Sequence, residues 1–257
     1  MPSARLNGID IEYEETGRGP ALVLSHGYGA TYRMWDGQRA AYGDRYRVIA
    51  WSMRGHGGTE SPKDPAQYSE ELTVADLRAL LQHCGVARAV VGGLSLGGYL
   101  SLAFYLRHPD VVRALIICDS GPGYRNAAAR AEWNERARRR AEGFETGGGL
   151  AELSGRSREA REAATHHRSA QGLAHAARGM LAQRDARVID GLPSIAVPTL
   201  IVVGDRDEPF LAPCRYMAKK IPGARLEIIP DAGHAANLDQ PAIFNRVVGN
   251  FLDTLPR

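Results

Sequence analysis

The stretch VVGGLSLGGYLSLAF, residues 90–104, runs from an apolar, strand-like segment through a cluster of glycines into an apolar, helix-like one. Ser95 stands in its middle. A dinucleotide loop does not fit, because the position two after Gly92 is Leu94. A phosphate loop does not fit either, because the position after Gly97 that needs Lys is Gly98. What fits is G-x-S-x-G, as Gly93-Leu94-Ser95-Leu96-Gly97. In a strand–turn–helix context that pattern places a serine on a strained, exposed turn. Glycines two before and two after leave room for the crowded backbone.

Working outward, the chain alternates strand-like and helix-like segments. IDIEYEE (9–15) alternates in polarity and reads as an edge strand. ALVLSHG (21–27), YRVIAWS (46–52), ARAVVGGLS (87–95) and VRALIICDS (112–120) read as buried strands. VPTLIVVGD (197–205) and ARLEIIPDAGH (224–234) follow later. Helical patterns cover 69–85, 98–109, 212–223 and 240–255. Such alternation predicts an α/β fold with a mostly parallel sheet covered by helices on both faces. The alternation stops over 124–187, which is rich in Ala, Arg and Glu. The expected organisation is a core domain of 1–123 and 188–257, with 124–187 as an inserted helical cap. The cap's charges, and its His166, His167 and His175, are expected to be solvated.

A serine is a weak nucleophile unless a base, an acid to orient that base, and donors for an oxyanion accompany it. His234, in DAGHAANLDQP after the last strand-like segment, is the natural base among the eight histidines. The acid is expected between serine and histidine in chain order. Asp207, in VVGDRDEPF, is preferred. Asp205 reads as shaping the turn, and Asp119, closing ALIICD, is a rival. The oxyanion donors are the N–H of Leu96, which follows Ser95, and the N–H of Tyr28 in SHGYGA (25–30). His26 is read as a brace for that loop. Trp35, Trp133, Phe144, Met180, Phe210 and Leu211 are candidate walls of a substrate pocket between sheet edge and cap.

The motifs HGYG, SMRGHGGTESP, GGLSLGG, GDRDEP and AGHAANLDQP occur in the order seen in the α/β-hydrolase superfamily, which the chain resembles over nearly its whole length outside the cap. The resemblance implies an eight-stranded sheet with the cap inserted after the sixth strand. It implies the same roles for Ser95, Asp207, His234, Tyr28 and Leu96. HGYGATYRMW also resembles the oxyanion segment of small carboxylesterases and enol-lactonases. One departure is visible: the family often has Asp before the RGHG turn, and here the position is Ser52, which weakens the expected local hydrogen bonding.

The expected activity is hydrolysis of carboxylic esters of small or medium acyl groups through an acyl-enzyme. Lactone hydrolysis, carbon–carbon hydrolysis of vinylogous diketones and cofactor-free perhydrolysis are alternatives, and a ligand receptor on the same fold is the non-enzyme alternative. No cofactor or metal is called for. The partner is a small-molecule ester or lactone, and the oligomeric state stays open, a homo-oligomer included.

Composition agrees with a globular protein: of 257 residues 44% are hydrophobic and 24% charged, with formal net charge +3. Basic residues are scattered among Glu, which argues against a nucleic-acid footprint. No run approaches the roughly 18 apolar residues of a membrane span. The opening MPSARLNGIDIEYEETG has no apolar leader core, so a cytoplasmic location is expected. Cys84, Cys118 and Cys214 show no motif spacing and are read as reduced, buried thiols.

Overall fold

A computed structural model describes residues 3–256. Eight strands form one sheet: β1 (Ser3–Leu6), β2 (Ile9–Thr16), β3 (Ala21–Ser25), β4 (Arg47–Trp51), β5 (Ala89–Leu94), β6 (Val112–Cys118), β7 (Thr199–Gly204) and β8 (Arg225–Ile229), in the spatial order β1-β2-β4-β3-β5-β6-β7-β8. β2 pairs antiparallel with β1 and β4, and all other pairs are parallel.

Alternation along the strands sorts their side chains between two cores. Val23, Ile49, Val91, Leu115 and Ile201 lie in one, and Leu22, Val48, Val90, Ile116 and Leu200 lie in the other. The central strands β3 to β7 are apolar on both faces because helices cover both. The helices are α1 (Asp36–Tyr42), α2 (Glu70–His83), α3 (Leu96–Arg107), α4 (Ala127–Thr146), α5 (Arg158–Ala163), α6 (Ala170–Ala176), α7 (Arg187–Gly191), α8 (Glu208–Lys220), α9 (Ala236–Asp239) and α10 (Pro241–Asp253). Helix α2 starts where Ser69 accepts the Leu72 N–H at 3.1 Å, a side-chain cap. Between β6 and β7 the regular structure is helical, from α4 to a short turn at Leu192–Ser194.

IDIEYEE is an inner strand and not an edge. β1, only four residues long, covers its free side. Four residues are too few to show a period, so the segment carries no strand signal in the sequence. The true far edge is β8, whose mostly exposed residues match a strand paired on one side.

The strand order places β4 to one side of β3 and β5 to the other. The chain reverses direction across the sheet at that point, and a crevice opens beyond the carboxyl ends of β3 and β5. The 25–30 loop and Ser95 both sit there.

Candidate active site

Ser95 directly follows β5 and precedes α3. Its backbone is at φ 55°, ψ −114°, a conformation L residues rarely adopt. Neighbouring contacts hold it there. Its N–H donates to the Cys118 carbonyl at 2.9 Å, and its carbonyl accepts the Ser120 hydroxyl at 2.6 Å. The flanking glycines are required by space. A Cβ on Gly93 would lie 2.4 Å from the Gly97 carbonyl carbon, and one on Gly97 would lie 2.2 Å from the Ser25 carbonyl oxygen.

His234 and Asp207 meet in the loops after β8 and β7. His234 Nδ1 lies 2.8 Å from Asp207 Oδ2. A carboxylate only accepts, so Nδ1 carries the proton and Nε2 is left as an acceptor. Burial pushes the His234 pKa down, but the hydrogen bond and charge of Asp207 outweigh it. Glu159 and Asp119 add to the lift, and the net shift is upward. Phe210 stacks on the imidazole at 4.9 Å between ring centroids. The rival, Asp119, is committed elsewhere: its carboxylate accepts the Gly204 N–H at 2.8 Å and the Ala236 N–H at 3.4 Å. Burial pushes its carboxyl well above the usual range, against the pull of those donors. Asp205 accepts the Ala232 N–H at 3.3 Å and shapes the turn.

Leu96 opens α3, so its N–H has no intrahelical acceptor. Among the described residues, no backbone acceptor engages the N–H of Tyr28. The Tyr28 side chain anchors its loop: the hydroxyl donates to the Leu173 carbonyl of α6 at 2.7 Å. His26 braces the loop from below, with Nδ1 2.7 Å from the Gly27 carbonyl and Nε2 accepting the Met53 N–H at 2.9 Å.

His167 and Ser52 depart from the expectations. His167 is buried, not solvated. Its Nδ1 accepts the Gly57 N–H at 3.0 Å and its Nε2 lies 2.8 Å from the Gly29 carbonyl, so it ties the helical segment to both loops. Ser52 does not leave its turn loose. Its hydroxyl donates to Glu12 Oε2 at 3.0 Å, and the same oxygen accepts the Gly58 N–H at 2.8 Å. Glu12, on the adjacent β2, thus supplies the carboxylate missing at position 52.

Ser95 borders two cavities. One, of about 300 Å³, has walls from Leu96, Tyr99, Trp133, Leu181, Phe210 and Pro213. The other, of about 410 Å³, is bordered by His234, Asp207 and Tyr28, and by Arg140, Arg156 and Glu159. Trp133 and Phe210 belong to both. Four other expected walls lie elsewhere. Trp35 is packed against Phe244 in the core on the opposite sheet face. Met180 is wholly buried within the core. Phe144 lies one layer back, its ring 6.4 Å from that of Tyr28. Leu211, on α8, packs against the core and borders neither cavity. Apolar character alone does not separate a wall from the layer behind it.

Sequence reading missed Arg140, Arg156 and Glu159. The one available signal is periodic: Arg140 falls within the inward stripe Trp133, Ala137, Ala141, Phe144 of α4. Among the described residues no group of three or more His, Cys, Asp or Glu could hold a metal ion, and no helix is long and apolar enough to cross a membrane.

The chain matches the model of the alpha/beta hydrolase family over residues 22–247. It is 28% identical to a putative 2-succinyl-6-hydroxy-2,4-cyclohexadiene-1-carboxylate synthase of Bacillus subtilis, over 95% of this chain and 96% of that protein. Its structure is similar to a thermophilic esterase from Thermogutta terrifontis, with TM-score 0.84 and 31% identity over 95% of this chain and 93% of that one. An enol-lactonase from Burkholderia xenovorans superposes with TM-score 0.83 and 28% identity, over 98% of this chain and 100% of that one. Sheet order, the strained serine turn and these likenesses agree: the chain belongs to the alpha/beta hydrolase family.

Proposed function

We propose that the protein is a serine hydrolase of carboxylic esters with small or medium acyl groups, using Ser95, His234 and Asp207. The observation that carries this is the 2.8 Å His234–Asp207 contact at the cavity that Ser95 also borders. His234 Nε2 takes the Ser95 hydroxyl proton while Oγ attacks the ester carbonyl carbon. The resulting oxyanion is held by the N–H groups of Tyr28 and Leu96. His234 then gives the proton to the departing alkoxide, and an acyl-Ser95 ester remains. Water repeats the sequence, losing a proton to His234 and adding to the acyl carbon. The acid departs and Ser95 regains its proton.

The segment 124–187 serves as the cap, contributing Trp133 and Leu181 to the cavity walls. Lactones are the second substrate class, supported by the likeness to the Burkholderia enol-lactonase.

The test is a fluorophosphonate probe with a panel of p-nitrophenyl esters and lactones. Wild type should be labelled at Ser95 alone. Ser95→Ala should lose both label and turnover. An adduct on another serine, or undiminished turnover in the variant, overturns the proposal.

A further inference from the structure

The two cavities at Ser95 differ in chemistry. The one without His234 has mostly apolar and aromatic walls, together with Gln183 and an Arg136 whose charge is already paired to Glu132. The one His234 borders holds two guanidinium groups and a buried carboxylate. Arg140 is the unusual member. It reaches inward from α4, its guanidinium carbon 5.4 Å from the Tyr28 ring centroid. Among the described residues no carboxylate lies within ion-pairing distance of it and no hydrogen bond engages it. Its neighbours Arg136 and Arg138 on the same helix do pair, with Glu132, Glu135 and Glu142. Burial acts against its charge, lowering its pKa, with Tyr28 and Glu159 opposing and Arg156 adding to the effect.

A half-buried guanidinium with no carboxylate at ion-pairing distance has lost part of its hydration, and the Tyr28 ring and the more distant Glu159 charge offset only some of that cost. The cost is offset when an anion enters. Arg156 stands at the same cavity, part of its charge taken by Glu152 at 3.5 Å. Glu159 is 3% exposed. Its Oε1 accepts from the Ser157 hydroxyl, while Oε2 is buried without a partner. The cavity therefore offers a cation, which Glu159 favours without forming an ion pair to it, and one unused acceptor.

We propose that the natural ester carries a carboxylate on its departing, alkoxy half, held by Arg140 with Arg156 beside it. The side is set by His234. It delivers the proton to the departing oxygen and borders this cavity and not the other, so the acyl group is left to the cavity walled by Leu96, Tyr99 and Pro213. The planar guanidinium fork suits a carboxylate, and Glu159 Oε2 receives a hydroxyl or N–H of the same group. This rests on ester hydrolysis at Ser95.

The experiment compares 4-carboxyphenyl acetate, phenyl acetate and monophenyl adipate, which carry the anion on the departing half, nowhere, and on the acyl half. Wild type should prefer the first by kcat/KM. In Arg140→Gln the ratio of the first to the second should fall about 10- to 100-fold, the scale of a charge-assisted hydrogen bond. Arg140→Lys should keep part of it. An unchanged ratio, or a preference for monophenyl adipate, overturns the proposal. Calorimetry of 4-hydroxybenzoate with Ser95→Ala separates the two readings. Binding that weakens when Arg140→Gln is added supports the anion site even where no ester is hydrolysed, an outcome that refutes only the role of Ser95. Absent binding, or binding indifferent to Arg140, overturns the site.

Discussion

Replacing Asp207 by Asn keeps the shape of the side chain and removes the charge 2.8 Å from His234 Nδ1. The amide can turn an N–H toward Nδ1, which forces the imidazole proton onto Nε2, where the serine proton must be accepted. Loss of the correct tautomer in such a triad costs about 10⁴-fold in turnover, or about 5.5 kcal/mol of barrier. Asp119→Asn makes the contrast. Asp119 accepts two backbone N–H groups, from Gly204 and Ala236, and is fully buried. An amide there sets an N–H against one of those donors, for about 1–3 kcal/mol of stability. Its effect on turnover should stay far below that of Asp207→Asn. The assay is kcat/KM on a p-nitrophenyl ester for both variants, with a melting curve for each. The pH profile adds a second readout. Asp207 holds the His234 pKa above its usual 6.5, so activity should fall on acidification with a midpoint above that value. In Asp207→Asn the residual activity should show a lower midpoint. Full activity in folded Asp207→Asn, or a 10⁴-fold loss confined to Asp119→Asn, refutes the reasoning.

Burial depresses the His26 pKa to about 3, so below pH 6.5 the unfolded chain takes up a proton that the folded one refuses, and stability contributed at neutral pH is lost on acidification. The stability advantage of wild type over His26→Asn, measured by urea unfolding, should shrink by about 2 kcal/mol between pH 7.5 and 5; a constant difference refutes it. Trp133→Ala should reorder kcat/KM across an acetyl-to-octanoyl ester series, because Trp133 borders both cavities. Met180→Ala, within the core, should instead lower stability by about 2–5 kcal/mol and leave the ranking in place, and reordering by Met180 alone would reverse the assignment.

Strand alternation and turn chemistry are local properties, and the sequence carries them openly. Apolar runs marked β3 to β7, and glycines spaced around Ser95 marked a turn that only glycine neighbours allow. The order of the HGYG, GDRD and AGH segments placed Tyr28, Asp207 and His234 in loops at strand ends. Choices between distant groups were decided by tertiary structure. Asp119 and Asp207 both close strands, and only the packing shows backbone donors occupying one and His234 bound to the other. Ser52 reads as a loss until Glu12, from a neighbouring strand, is seen accepting its hydroxyl proton. Met180 and Trp133 are both large and apolar, and which one meets a cavity depends on the turn of chain that carries it. Arg140 sits in a run of arginines in which Arg136 and Arg138 pair with glutamates along the exposed side of α4. Charge composition cannot distinguish it from them. What sets it apart is its angular position on the helix and the Tyr28 ring that waits beneath it, and both arise only when residues far apart in the chain are packed together.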